Sequence, residues 1–395
     1  MKALLQPVMA FLLFGLAVLP ANAAFKSLYV FGDALSATAD GTGSLYYAGR
    51  DSNGRVWVEV LAQRQGLIFD NAKNNSYYDH NSAITVTDVK KFTAPADVAN
   101  DLFIVWVCNA DTFDATTADP HLTQTQWQAA INQAQTNHIQ IITNLYAKGV
   151  RTLILPNAVD ISKIPAFNAG TTLTNVEHAG CVAYNAAFSN TINRARSLCP
   201  GLKIYTPDFF TLLNNVLTNA ASYGLTNTLS AKGFSIDALT ALYAAATVQL
   251  NGPGTNYIFW DGQDPTAKFH AVIADVVQQS ISPVQIGGIV AFNGSNRLDV
   301  VNVPVGLNGF VEGCTNLGAA NWTSLTNITS AATAQSVFVP TPPTLTNTVV
   351  SPAYSQTGGK VSSADQTGLP EPGGAVVVTA LEFYRLHFPY AWNWP

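Results

Sequence analysis

Ser27-Leu28-Tyr29-Val30-Phe31-Gly32-Asp33-Ala34-Leu35-Ser36 is the stretch on which the fold turns. Its first half is a short apolar, β-branched and aromatic run. Its second half is a glycine followed by an acidic residue and small side chains. A run of this kind closed by a polar turn is the pattern of a strand buried on both faces. Four more runs repeat the pattern: Leu102–Val107, Arg151–Leu155, Leu202–Tyr205 and Tyr257–Trp260. Amphipathic stretches separate them. Across Gln124–Lys148, Trp127, Ile131, Ala134, Ile141 and Leu145 recur at helical spacing, and Gly149 supplies the stop. Strands alternating with helices predict βαβ units and a parallel sheet with right-handed crossovers. Ligands of such sheets bind beyond the carboxyl ends of the strands, so the residues just after each run are those to inspect.

Working outward, the chain has 395 residues, enough for two domains and a processed end. Hydrophobic residues make up 48% and charged residues 11%, a globular balance that excludes a disordered chain. The net charge of −5 leaves no basic footprint for nucleic acid or for an anionic membrane surface. Lys2, the apolar run Met9–Leu19 and Ala21-Asn22-Ala23 have the form of an export signal over 1–23, with the mature start near Ala24. That run is too short to span a bilayer and no later stretch is long enough, so a soluble, secreted or periplasmic product is expected. Cys181 and Cys199 bracket one predicted helix and would lie about 27 Å apart along it. No disulfide framework is therefore expected, and the four thiols read as buried or half-buried. After about Pro283 helices give way to strand-like pieces such as Leu298–Val305, Gly309–Glu312, Ser336–Val339 and Leu381–Phe388. The expected organisation is a sheet-and-helix domain over 24–282 and a small β-rich module over 283–395. A long mobile loop is expected at 341–374, and an aromatic tail carries Trp392 and Trp394.

The residues after the runs carry the chemistry. The first delivers Gly32-Asp33-Ala34-Leu35-Ser36, the second Cys108-Asn109-Ala110-Asp111, and the last Asp261-Gly262-Gln263-Asp264 followed by His270. Between the first two lies Asp51-Ser52-Asn53-Gly54-Arg55-Val56-Trp57-Val58-Glu59. With Cys181-Val182-Ala183-Tyr184-Asn185 and Asp208-Phe209-Phe210 leading to Tyr223-Gly224-Leu225-Thr226-Asn227, this ordered set closely resembles the GDSL/SGNH hydrolase family. The likeness extends to its secreted lipase/esterase branch, which contains the thermolabile haemolysins, and covers roughly Phe25 to Ser282.

The resemblance implies a flavodoxin-like α/β fold and acyl transfer through a serine acyl-enzyme, with no cofactor and no metal. It implies a small-molecule, lipid or glycan ester as ligand. In the family a serine after the first strand attacks the ester, and a histidine after the last activates it. An aspartate three residues earlier orients that histidine. Carried over, Asp261 matches the orienting aspartate, Gly54 matches the glycine of the oxyanion hole, and Asp33 supports the nucleophile turn. Three positions depart from the pattern. Ala34 stands where the nucleophile belongs, and Ser36 is the nearest hydroxyl. Asp264 stands where the histidine belongs, and His270, further along the helix starting at Thr266, is the candidate substitute base. The third motif, ordinarily Gly-x-Asn-Asp, carries its asparagine one place early at Asn109. A slip on an extended strand would turn that side chain to the other face unless a bulge restored it.

Taken literally, Ala34 and Asp264 predict an inactive or strongly impaired ester hydrolase. A secreted pseudoenzyme that binds ester- or glycan-bearing ligands, and a purely structural or surface protein, are the alternatives. Asp33, Asp111, Asp261 and Asp264 could hold calcium or form an acid/base pair, but holding loops through backbone N–H groups is the plainer role for Asp33 and Asp111. His138 falls on its helix's apolar stripe, as a core histidine does. His80, His121, His178 and His387 show no ligand spacing. The aromatics of the C-terminal part, among them Trp322 and Tyr384, are expected to fill a small core rather than a binding face.

Overall fold

The structure, a computed structural model, describes residues 25–41, 43–118, 123–168, 171–243, 249–292, 294–315, 317, 321–340 and 383–389. The expected export signal over 1–23, the loop at 341–374, His121, Trp392 and Trp394 lie outside the described residues.

In chain order the first part runs β1 (Leu28–Gly32), α1 (Trp57–Arg64), β2 (Asn74–Ser76), α2 (Ser82–Lys91), β3 (Leu102–Trp106), α3 (Cys108–Ala118) and α4 (Gln124–Ala147). It continues with β4 (Thr152–Ile154), α5 (Thr171–Leu198), β5 (Lys203–Tyr205), α6 (Phe209–Thr218), α7 (Ala238–Tyr243) and α8 (Ala267–Ile281). The five strands form one parallel sheet in the order β2-β1-β3-β4-β5, with Leu28 to Gly32 in register with Leu102 to Trp106. This is the flavodoxin-like α/β fold expected. Every residue of β3 is buried, as a central strand covered by helices on both faces must be. The chain leaves β1 outward to β2 and returns across the sheet to β3. The strand order therefore reverses between β1 and β3, the point where such sheets open a crevice.

Two expectations about the strands need correcting. The segment Tyr257–Trp260 is not a strand of the sheet. Ile258, Phe259 and Trp260 are buried, but their backbone groups are used elsewhere. Thr266 N–H donates to the Ile258 carbonyl, Ala238 N–H to that of Phe259 and Leu239 N–H to that of Trp260, while Trp260 N–H closes locally on Asp264. The segment makes only isolated bridges, Tyr257 with Thr226 and Phe259 with Pro265, and no ladder with the sheet. The fifth strand is β2, whose Asn74-Asn75-Ser76 carries no apolar run.

Helix α4 begins as its sequence directs. Thr123 and Gln126 form a reciprocal capping box, with Thr123 N–H to Gln126 Oε1 at 2.9 Å and Gln126 N–H to Thr123 Oγ1 at 3.3 Å. Its buried stripe, Trp127 to Leu145, packs on α5. The close approach needs Gly180, where a Cβ would sit 2.6 Å from Trp127 Cε2. Gly180→Ala is expected to cost about 1–3 kcal/mol of stability through overpacking. Urea denaturation measures this, and an unchanged midpoint would mean that Trp127 can retreat at no cost.

The remainder is an antiparallel region: β6 (Gln285–Phe292), β7 (Ser295–Val301), β8 (Gly309–Cys314), β9 (Thr323–Ile328), β10 (Ala334–Pro340) and β11 (Phe383–His387). These pair as two three-stranded sheets, β10-β7-β6 and β11-β8-β9. A second small core lies here around Leu298, Val300, Val311, Ile328, Leu386 and Phe388. The predicted strand Leu298–Val305 ends at Val301, because Asn302 takes a left-handed conformation (φ 59°) and Pro304 follows. Trp322 packs beneath the Arg385 guanidinium at 4.4 Å, and Tyr384 accompanies the small core.

The antiparallel region meets the helices through Arg64, at the end of α1. Its Nε donates to buried Asp275 of α8 at 2.6 Å, its Nη1 donates to the Val305 carbonyl at 3.1 Å, and its own carbonyl accepts from Val305 N–H. Beside it, the Gln65 amide donates to Gln278. All four cysteines are buried and unpaired. Among the described residues no helix is long and apolar enough to cross a membrane.

Candidate active site

β1 ends at Gly32, where a Cβ would lie 2.8 Å from both Ser36 Cβ and Ser76 Oγ. The chain then turns at once. Asp33 N–H donates to the Trp106 carbonyl, extending the β1–β3 ladder, and Asp33 Oδ1 accepts Leu35 N–H at 3.1 Å, capping the short helical turn Ala34–Ser36. This places Ala34 at the carboxyl end of β1. Ser36 points the other way: it is fully buried and accepts the Trp57 indole N–H at 3.0 Å, so its hydroxyl serves the core.

Ala34 lies in the wall of a cleft of about 80 Å³, which sits over the switch point between β1 and β3. Asp33 and Leu35 come from the turn after β1, Tyr78 and Asp79 from the segment after β2, and Asn109, Ala110, Phe113 and Asp114 from α3. Phe167 follows β4, and Gln263 and Asp264 precede α8. A small adjoining apolar cavity of about 30 Å³ shares Leu35 and Gln263, and its walls include Phe209, Leu213, Phe259, Phe269 and Ile273.

Asn109 arrives in an unexpected way. β3 stops at Trp106 and α3 begins at Cys108, so Asn109 lies in a helical turn and strand alternation does not govern its direction. No bulge is needed. Its Oδ1 accepts Val159 N–H at 3.1 Å, while its Nδ2 is buried with no hydrogen-bond partner, as is Asp33 Oδ2. Both side chains belong to the lining of the cleft. Two residues on, Asp111 holds structure together. Its Oδ1 accepts Ser82 N–H at 2.9 Å and its Oδ2 accepts the Tyr184 hydroxyl at 2.7 Å. His138 Nε2 lies 2.8 Å from that hydroxyl and 3.3 Å from the carboxylate, making the histidine a core residue bonded through one ring nitrogen. Its Nδ1 has no partner.

On the opposite wall, Asp261 is fully engaged and does not line the cleft. Its Oδ1 accepts the N–H groups of Gln263 (2.9 Å) and Asp264 (2.8 Å), and its Oδ2 accepts the Tyr46 hydroxyl at 2.8 Å. Nothing in the spacing of Tyr46, or of Asp51 at the start of the second motif, joins them to a segment two hundred residues away. Burial, then the charges of Asp261 and Asp51, hold the Asp264 carboxyl well above the usual carboxylate range. Burial pushes Asp33 up to about 7, against the Leu35 N–H and the nearby Asn109 amide and Ala110 N–H, which favour its charge. Burial and then Asp261 push Asp51 to about 6.

The second motif serves as a clamp. Asn53 Oδ1 accepts Ala267 N–H at 2.8 Å and Ser52 Oγ donates to the Pro265 carbonyl, fixing the start of α8. Gly54 lies against that start, its Cβ position 2.7 Å from Ala267 Cβ, and is not among the residues lining the cleft. His270 is buried on α8 and is not among them either. Its Nδ1 has no partner, and burial lowers its pKa to about 3, so the imidazole stays neutral. Among the described residues no cluster of three His, Cys, Asp or Glu side chains is arranged for a metal. The cleft thus brings together Asp33, Ala34, Asn109 and Asp264, with Asp261 behind Asp264. It can bind and orient a polar ligand, but a methyl group at position 34 offers no nucleophile.

A raised carboxyl inverts the usual effect of pH on stability. Above about pH 4 Asp264 ionises in the unfolded chain but keeps its proton in the folded one, so each further pH unit up to its folded pKa weakens folding by about 1.4 kcal/mol at most. Asp264→Asn is expected to raise the melting temperature at pH 8 and leave it nearly unchanged at pH 4. Thermal melts at the two pH values decide, and a lower melting temperature at pH 8 would contradict the account.

A family model described as GDSL-like lipase/acylhydrolase matches residues 28–277. Two GDSL esterases/lipases of Arabidopsis thaliana are 29% and 28% identical over 143 and 142 residues, which is 34% of this chain. The chain spans 40% of the length of these relatives. Among solved structures, an acetyl xylan esterase aligns at 9% identity and TM-score 0.38, covering 65% of this chain and 99% of that one. An acetylxylan esterase from Geobacillus stearothermophilus aligns at 12% and 0.36, covering 66% and 94%.

Proposed function

The chain belongs to the GDSL-like lipase/acylhydrolase family, and from that premise we propose that it is an exported protein which binds carboxylic esters in the cleft beside Ala34 and has lost efficient hydrolysis. The observation that carries this reading is the placement of Ala34 in the wall of the cleft at the end of β1. In a measured serine hydrolase, loss of the nucleophile cost about 10⁶ in turnover. The cleft around the missing hydroxyl is intact enough to hold a substrate. Asp33 and Asn109 line it with polar groups, and the adjoining apolar cavity presents Phe209, Leu213 and Phe269 to the acyl end of the ester. The base position is weakened as well, since burial and the charges of Asp261 and Asp51 favour the protonated form of Asp264, which cannot accept a proton. Export rests on the signal-like first 23 residues.

The test is to follow p-nitrophenyl butyrate with the purified chain. Saturable binding with release of p-nitrophenolate no faster than a protein-free blank supports the reading. Turnover near the roughly 10 s⁻¹ typical of enzymes would sink it.

A further inference from the structure

Four of the cleft's lining residues are carboxylic acids: Asp33, Asp79, Asp114 and Asp264. Among the described residues no lysine, arginine or histidine lines it. Asp33 and Asp264 are more than nine-tenths buried, and Asp33 Oδ2 has no hydrogen-bond partner. Three aromatic rings complete the wall. Phe113 and Phe167 stack with centroids 5.3 Å apart, and Tyr78 stands beside Asp79. Converging acids and ring faces, with no countercharge, describe a site short of a cation.

Resting on the reading that this cleft is where the protein takes its ligand, we infer that it selects ligands carrying an organic ammonium group, which sits between the aromatic rings and the carboxylates. Ring faces attract such a cation through their quadrupole, more strongly where water is excluded. A bare metal ion would instead call for a converging shell of oxygen ligands. The shifted carboxyls agree with this assignment. Burial raises Asp33, Asp114 and Asp264, and an entering cation supplies the charge that would let them ionise.

Isothermal titration of the full chain at pH 7.5 with tetramethylammonium chloride tests the inference, with tert-butanol as an uncharged probe of similar size. Tetramethylammonium is expected to bind saturably, at least tenfold tighter than tert-butanol. Asp79→Asn keeps a side chain that tolerates the left-handed backbone there (φ 63°) and removes one charge. Phe167→Leu removes one ring. Each is expected to weaken tetramethylammonium by about three- to tenfold and leave tert-butanol unchanged. Equal affinity for the two probes, or unaltered tetramethylammonium binding in both variants, would overturn the inference. If the cleft takes p-nitrophenyl butyrate but not tetramethylammonium, this inference alone fails. If it takes tetramethylammonium but not the ester, the ester reading fails and the cation site stands.

Discussion

Ala34→Ser combined with Asp264→His is expected to hydrolyse p-nitrophenyl butyrate on the order of 10²–10⁴ faster than Ala34→Ser alone, the range general-base catalysis supplies. A serine at position 34 would stand where Ala34 lines the cleft, on a turn already capped by Asp33. The hydroxyl alone is a weak nucleophile. Its nearest candidate partner, Asp264, is buried beside Asp261, which favours its protonated form, while His270 lies buried in α8 outside the cleft. A histidine at position 264 changes this. Asp261 already accepts the N–H groups of residues 263 and 264 and is steadied by Tyr46, an arrangement suited to orienting an imidazole. Stopped assays of p-nitrophenolate release compare the two variants and the parent. Equal activity in the single and double variants would mean that Asp264 ionises and acts as base. Silence in both would mean that the one-place shift of Asn109 has spoiled the oxyanion site, and the catalytic ancestry assigned to these positions would fall.

The largest stability effect is expected at Arg64. Arg64→Met is expected to cost about 3–5 kcal/mol at neutral pH, because it strands a buried carboxylate. Arg64 and Asp275 are 6% and 2% exposed, and their 2.6 Å contact has little water to replace it. Even with its partner, burial holds Asp275 at about 6, so losing the guanidinium should drive it to take up a proton. The Val305 carbonyl would lose its donor as well. Replacing both partners, Arg64→Met with Asp275→Leu, is expected to recover most of the loss, since no buried charge remains. Urea midpoints of the three variants measure this. A single variant within about 1 kcal/mol of the parent would show that solvent reaches the pair.

Much of this architecture is legible in the sequence, for reasons that also mark where legibility stops. Leu28–Gly32 and Leu102–Trp106 are found because central parallel strands must be apolar on both faces, and α4 because its buried stripe keeps helical period between Thr123 and Gly149. β2 is missed because an edge strand of Asn74, Asn75 and Ser76 buries little and so leaves no apolar signature. Tyr257–Trp260 misleads for the opposite reason: its aromatic side chains are buried, but burial is a property of side chains and pairing a property of backbones. At the cleft, the positions 33, 34, 109 and 264 follow from motif order alone. Tyr46 and Asp51, the clamp made by Ser52 and Asn53, and the acids Asp79 and Asp114 depend on contacts between distant segments, which no local pattern encodes.

The strand order noted above also has a temporal consequence. One wall of the cleft, Asp33 to Leu35, belongs to the first strand of the chain, and the facing wall, Gln263 and Asp264, comes just before the last helix of the sheet. β1 itself waits for β3, some seventy residues later, before it gains its inner neighbour. Contacts this far apart in sequence make folding slow, because the intervening loop must close before any of them forms. A chain emerging amino end first therefore has no binding cleft until nearly all of 25–281 is free to fold, and a fragment ending before Asn256 never acquires one. Whatever ligand the cleft takes will find it only in the finished protein.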